Sequence, residues 1–199
     1  MTVNTARARR ARLASAGAFV AAIATVGTLA APAASAAPVS TNLLLGPAQF
    51  PAGSTDYRVD PNAATAKVKI PESSPADCRA AGDGLNATLA SVNGAEATAR
   101  NGYSFMSSAV LSPVVTNQWR AVVERCDGGQ LATPPDLVRY SPVVMTARED
   151  GRIGAVQGFA DVNGYTVNVY VEGLSATPAN TDRFWAVFRA QIQKVQTGR

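Results

Sequence analysis

The residues of this chain able to do chemistry form a short inventory, and the gaps in it decide most. No histidine occurs in its 199 residues. An imidazole base, a histidine metal ligand and the usual serine or cysteine triads are therefore excluded. A Ser-Lys dyad needs a buried lysine. Beyond the N-terminal segment the lysines are Lys67, Lys69 and Lys194, and the first two, spaced i, i+2, should face solvent together from one strand. Carboxylates remain. Asp56 with Asp60, and Glu149 with Asp150, are the neighbouring pairs, and two carboxylates are the minimum for glycoside hydrolysis. The first pair lies beside Pro61-Asn62 and the second precedes Gly151, positions where acidic residues ordinarily shape turns. Gly82-Asp83-Gly84 is glycine-rich but falls inside a helix-period stretch, not after a strand as a phosphate cradle requires. Two cysteines are too few for a structural zinc site. No catalytic residue, metal site or cofactor is expected.

Local patterns show what positions these groups. Cys78, Ala81, Leu85, Leu89 and Val92 recur at helical intervals, predicting a helix over 76–92 that opens after Ser74-Pro75 and stops at Asn93-Gly94. The sequon Asn86-Ala87-Thr88 falls on it. A second helix is expected over about 113–125, with Val115, Trp119, Val122 and Cys126 as its stripe. Tyr57–Asp60 and Ala66–Ile70 read as short strands, and Glu96–Arg100 and Tyr103–Leu111 as a hairpin around Asn101-Gly102. A meander follows: Val138–Arg148, Ile153–Ala160 and Tyr165–Glu172, joined at Asp150-Gly151 and Asn163-Gly164. In its last strand Tyr165, Val167, Val169 and Val171 alternate with Thr166, Asn168, Tyr170 and Glu172. Asn168, Tyr170 and Glu172 thus form an outer face, suited equally to ligand or to solvent. A terminal helix beginning near Thr177-Pro178 packs through Phe184, Trp185, Phe188, Ile192 and Val195. The expected class is α+β: an antiparallel sheet with helices packed on one face.

The chain's beginning has the layout of an export signal. Arg7, Arg9, Arg10 and Arg12 precede an uncharged apolar stretch over 13–31, and Ala34-Ser35-Ala36 supplies a small-x-small triplet. Cleavage is expected between Ala36 and Ala37, with 37–42 as a flexible leader and 43–199 as one domain. Without cleavage, the apolar stretch would approach the length of a membrane anchor; with it, no stable anchor remains. The formal charge of +4 belongs to those four arginines, leaving 14 basic and 14 acidic residues from Ala37 onward. A neutral remainder gives no long-range attraction to nucleic acid. In an oxidising compartment Cys78 and Cys126 should form a disulfide. Closing a loop of about 48 residues would remove roughly 4 kcal/mol of unfolded-state entropy.

Several segments carry a family resemblance. Leu43-Leu44-Leu45-Gly46-Pro47-Ala48 with Phe50-Pro51-Ala52-Gly53, then Pro75-Ala76-Asp77-Cys78, Gln118-Trp119…Cys126, and Phe188…Gln191-Ile192-Gln193-Lys194-Val195 resemble secreted and lipid-anchored actinobacterial domains of the mycobacterial type. That group includes the extracellular sensor domain of PknH-type serine/threonine kinases. The resemblance spans roughly 43–196 and implies an α+β fold, a disulfide joining two helices and a sensing role without catalysis. The kinase sensor domains carry a second disulfide that this chain lacks.

The expectation is a secreted, non-catalytic domain binding an extracellular ligand or protein. The alternatives are a carboxylate-dependent hydrolase of cell-wall glycans and a structural or inhibitory secreted protein.

Overall fold

The computed structural model describes residues 38–63, 67–126 and 129–198. The export signal and the Ala36–Ala37 cleavage position lie outside these residues.

Seven strands form one antiparallel sheet in the order β1-β2-β3-β7-β6-β5-β4: β1 Thr55–Asp60, β2 Asn93–Asn101, β3 Ser104–Ser112, β4 Gly129–Gln130, β5 Val143–Glu149, β6 Arg152–Val162 and β7 Tyr165–Gly173. Three helices accompany them: α1 Ala76–Leu89, α2 Thr116–Arg125 and α3 Thr181–Thr197. The meander of β5, β6 and β7 turns where expected. Asp150 and Gly151 have φ of 48° and 77°, and Asn163 and Gly164 have 49° and 83°. Two successive left-handed residues make the turn whose twist matches a two-residue hairpin. The β2–β3 hairpin is displaced by one residue: Asn101 pairs with Ser104, so its loop is Gly102-Tyr103 rather than Asn101-Gly102.

The α+β class holds, but the helices do not share one face. Alternation along β6 shows why. A Cβ on Gly158 would collide with the Phe184 ring of α3, whereas the next residue, Phe159, stacks on Trp119 of α2. Neighbouring residues of a strand point to opposite faces, so α3 covers one face and the α1–α2 pair the other. On the α3 face Phe184, Trp185 and Phe188 meet Val156, Ala160, Val167, Val169 and Val171 in the main core. On the opposite face Ala81, Leu85, Leu89 and Val122 form a smaller cluster between α1 and α2, and Ala109, Leu111 and Val115 another.

Other expectations are corrected. Part of the expected leader packs against the domain. Val39 is buried with Leu44, Leu45 and Phe50 under α3, and Thr41–Leu43 makes a 3-10 turn. Residues 67–70 form no strand; they run along α1 instead. Val138 is exposed in a 3-10 turn spanning Pro135–Tyr140, and β5 starts only at Val143 after Pro142. That turn exists because Leu137 is drawn into the core beside α3. α1 ends at Leu89, since Asn93 already pairs with Ser112. α2 starts at Thr116, with Val115 buried before it. α3 starts at Thr181 because the Asn180 side chain accepts the Arg183 backbone N–H at 2.8 Å. An Asn there satisfies one of the free donors at a helix start.

Candidate functional site

The α1–α2 pair covers only part of its sheet face, and the uncovered part continues beneath it as a cavity. Two features hold this roof. Cys78 and Cys126 form the expected disulfide, with S–S 2.07 Å and Cα–Cα 4.9 Å, joining the start of α1 to the end of α2. Residues 67–70 are bound to α1 by Asn86, whose Oδ1 accepts the Val68 backbone N–H at 2.8 Å while its Nδ2 donates to the Val68 carbonyl at 2.9 Å. This is the asparagine of the sequon, and both functions of its amide are engaged in the fold. Gly82 permits the close approach: a Cβ there would lie 2.4 Å from Ile70. The glycine noted in Gly82-Asp83-Gly84 therefore serves helix-to-loop packing.

Strand register fixes the floor. Across β2, β3, β7, β6 and β5, one row on this face runs Glu96, Ala109, Asn168, Phe159, Val143; the next runs Thr98, Ser107, Tyr170, Gln157, Met145. Ala109 is the low point of the first row, flanked by longer side chains. The cavity above it measures about 440 Å³, a size suited to a small organic ligand. Its apolar wall is built from Leu89, Leu111, Trp119, Met145 and Phe159, and its polar groups are Lys67, Glu96, Gln157 and Asn168. Trp119 and Phe159 stack with centroids 4.2 Å apart and planes at 16°. The Trp119 indole nitrogen is buried without a hydrogen-bond partner. Asn168 Nδ2 donates to the Gly158 carbonyl at 3.1 Å, leaving its Oδ1 without a donor among the described residues. Ser107, buried, donates to Glu96 Oε1, and no cationic side chain pairs with Glu96 among the described residues.

The outer face read from β7 is thus real but divided. Asn168 lines the cavity. Tyr170 and Glu172 continue the same face beyond the cavity lining, where Tyr170 lies edge-on to Phe105 at 6.4 Å. Burial first, and the adjacent Glu172 carboxylate second, push the Tyr170 phenol up to about 12.

The other candidates separate. Asp56 and Asp60 lie exposed on edge strand β1, and Glu149 and Asp150 lie exposed at the β5–β6 turn, across the sheet from them. Lys67 and Lys69 are both exposed. Phe184, Trp185 and Phe188 pack in the core and present no external stripe. Among the described residues no group of three or more acidic or cysteine side chains could hold a metal, and no helix is long and apolar enough to cross a membrane.

Glu96 was not among the sequence candidates. It stands in Gly94-Ala95-Glu96-Ala97-Thr98-Ala99, and a lone carboxylate in a strand of small residues is the signal that marks it. A second depression, about 560 Å³ beside Gln49, Gln193 and Lys194, is lined by no aromatic or acidic side chain.

No family model, curated protein or solved structure matches this chain. The cavity geometry therefore bears the weight of any functional reading.

Proposed function

We propose that the protein is a secreted, extracytoplasmic binding domain that holds a small ligand between its sheet and the α1–α2 roof, without catalysis. The observation that carries this is the cavity itself: a stacked aromatic pair and aliphatic side chains form the walls, and Glu96, Gln157 and Asn168 converge from three strands. A concave apolar site with a few placed polar groups is the usual form of a small-molecule site. The export layout before Ala37, the Cys78–Cys126 disulfide and the resemblance to actinobacterial sensor domains support an extracellular address. The neutral charge of residues 37–199 accords with a partner that is neither nucleic acid nor membrane surface.

The hydrolase alternative receives less support. The carboxylate lining the cavity is Glu96. Asp60, its cross-strand neighbour, lies exposed on the edge strand and uses Oδ1 to accept the Asn62 N–H at 2.9 Å.

The binding reading is tested with the neutral apolar fluorophore N-phenyl-1-naphthylamine. Gln157 is half-buried at the cavity, so Gln157→Trp should fill the space while leaving the fold intact by circular dichroism. The fluorophore should brighten with the wild-type protein and not with the variant; equal brightening would place its binding elsewhere. The address is tested on the exported protein, whose first residue should be Ala37. An intact Met1 retained in membranes would contradict secretion.

A further inference from the structure

Resting on that cavity as a binding site, we propose that its ligand class is a small primary amine carrying an aromatic or other apolar body. On the sheet floor of the cavity the polar groups left open are mainly acceptors, while its donors, the Trp119 indole N–H and the exposed Lys67 ammonium, belong to the α2 and 67–70 side. Glu96 Oε1 is occupied by the Ser107 hydroxyl, which orients the carboxylate and leaves Oε2 without a donor among the described residues. Asn168 has committed its amide nitrogen to the Gly158 carbonyl, so its oxygen is what remains to offer. Gln157 makes no side-chain hydrogen bond among the described residues. An ammonium group has three donors and no acceptor, and it matches this set.

Placement agrees with the chemistry. Glu96, Ala109 and Asn168 lie in one cross-strand row, so the small methyl of Ala109 leaves a dent between two acceptor side chains. An ammonium over Ala109 would place its substituent beside Phe159 and under Trp119, where the stacked rings and Leu111 offer apolar contact.

Charge agrees as well. Asp60 stands directly opposite Glu96 in the β1–β2 register, and like charges so placed destabilise a sheet. Neither carboxylate forms a salt bridge among the described residues. Lys67 lines the cavity but is exposed and forms no bridge to either. A bound cation at Glu96 would relieve this repulsion, whereas an anionic ligand would add to it.

Calorimetric titration of the mature protein with three probes of similar shape provides the test: 2-phenylethylamine, 3-phenylpropanol and 3-phenylpropionate. The amine should bind at least about ten-fold more tightly than the other two, the advantage expected of a charge-assisted hydrogen bond. Glu96→Gln keeps an acceptor for Ser107 and should abolish that advantage, bringing the amine's affinity down to that of the alcohol. Equal binding of all three probes, or an amine preference that survives Glu96→Gln, overturns the proposal while leaving the cavity as a binding site. Binding by none of them overturns both.

Discussion

The Trp119 indole lies flat on the Phe159 ring, 4.2 Å between centroids, and this stack is where α2 rests on the sheet. Phe159 is fully buried, while Trp119 keeps a partly accessible edge. One aromatic pair therefore serves both as a packing contact and as a cavity wall. Aromatic pairs of this kind contribute about 0.5–1.5 kcal/mol beyond the area they bury. The roof is fixed at this point and, some distance away, by the disulfide.

Replacing both Cys78 and Cys126 by alanine should lower stability by about 2–4 kcal/mol, read from the urea midpoint. The loss should fall chiefly on the α1–α2 layer, because α3 and its core lie on the other side of the sheet. Amide exchange should therefore accelerate in 76–89 and 116–125 more than in 181–197. Uniform acceleration would show that the bridge supports the whole domain.

Gln191 on α3 is the buried polar hub of the opposite face. Its Oε1 accepts the Leu45 backbone N–H at 3.2 Å and the Ser108 hydroxyl at 2.7 Å, and its Nε2 donates to the Leu43 carbonyl at 2.6 Å. Gln191→Leu strands these partners in the core, at a cost of about 1–3 kcal/mol. The Leu45 amide should lose protection from exchange first. An unchanged Leu45 amide would show that the N-terminal segment is held by Val39, Leu44 and Phe50 alone.

Tyr170 gives the fold a pH dependence on the alkaline side. Its phenol is raised from an ordinary 10.0 to about 12 by burial and by Glu172. Between those values the native state holds a proton that the unfolded chain has lost. Stability from this group is therefore complete below pH 10 and is lost as the pH rises toward 12. Tyr170→Phe should flatten the decline over that window, and the variant's absorbance difference should remove a phenolate that forms late. A phenol ionising near 10 would contradict the burial argument.

Local signals in the chain were the most legible. Asp150-Gly151 and Asn163-Gly164 specify turns by backbone conformation alone, and both occur. The spacing of Cys78, Leu85 and Leu89 placed a helix, and they are buried along it. What periodicity could not show was which face each helix covers. That depends on β3 and β7 becoming neighbours after the chain has passed through α2, β4, β5 and β6. The signal for burial on both faces was present in runs such as Val143-Val144 and Gly158-Phe159-Ala160, which lack the polar alternation of a one-sided sheet. Residues 67–70 resemble a strand by composition, yet Asn86 supplies the hydrogen bonds that a neighbouring strand would have made. The cavity was legible only through Asn168. Glu96 takes its meaning from a register that places it beside Ala109.

The most direct measurement is a nitrogen–proton correlation spectrum of the mature protein titrated with 2-phenylethylamine. The account predicts saturable shifts at Glu96, Ala109, Leu111 and Asn168 and at the Trp119 indole N–H, with Trp185 and the α3 amides unmoved. Shifts centred on α3, or the absence of shifts at Ala109 and the Trp119 indole, would contradict the assignment of this cavity as the binding site.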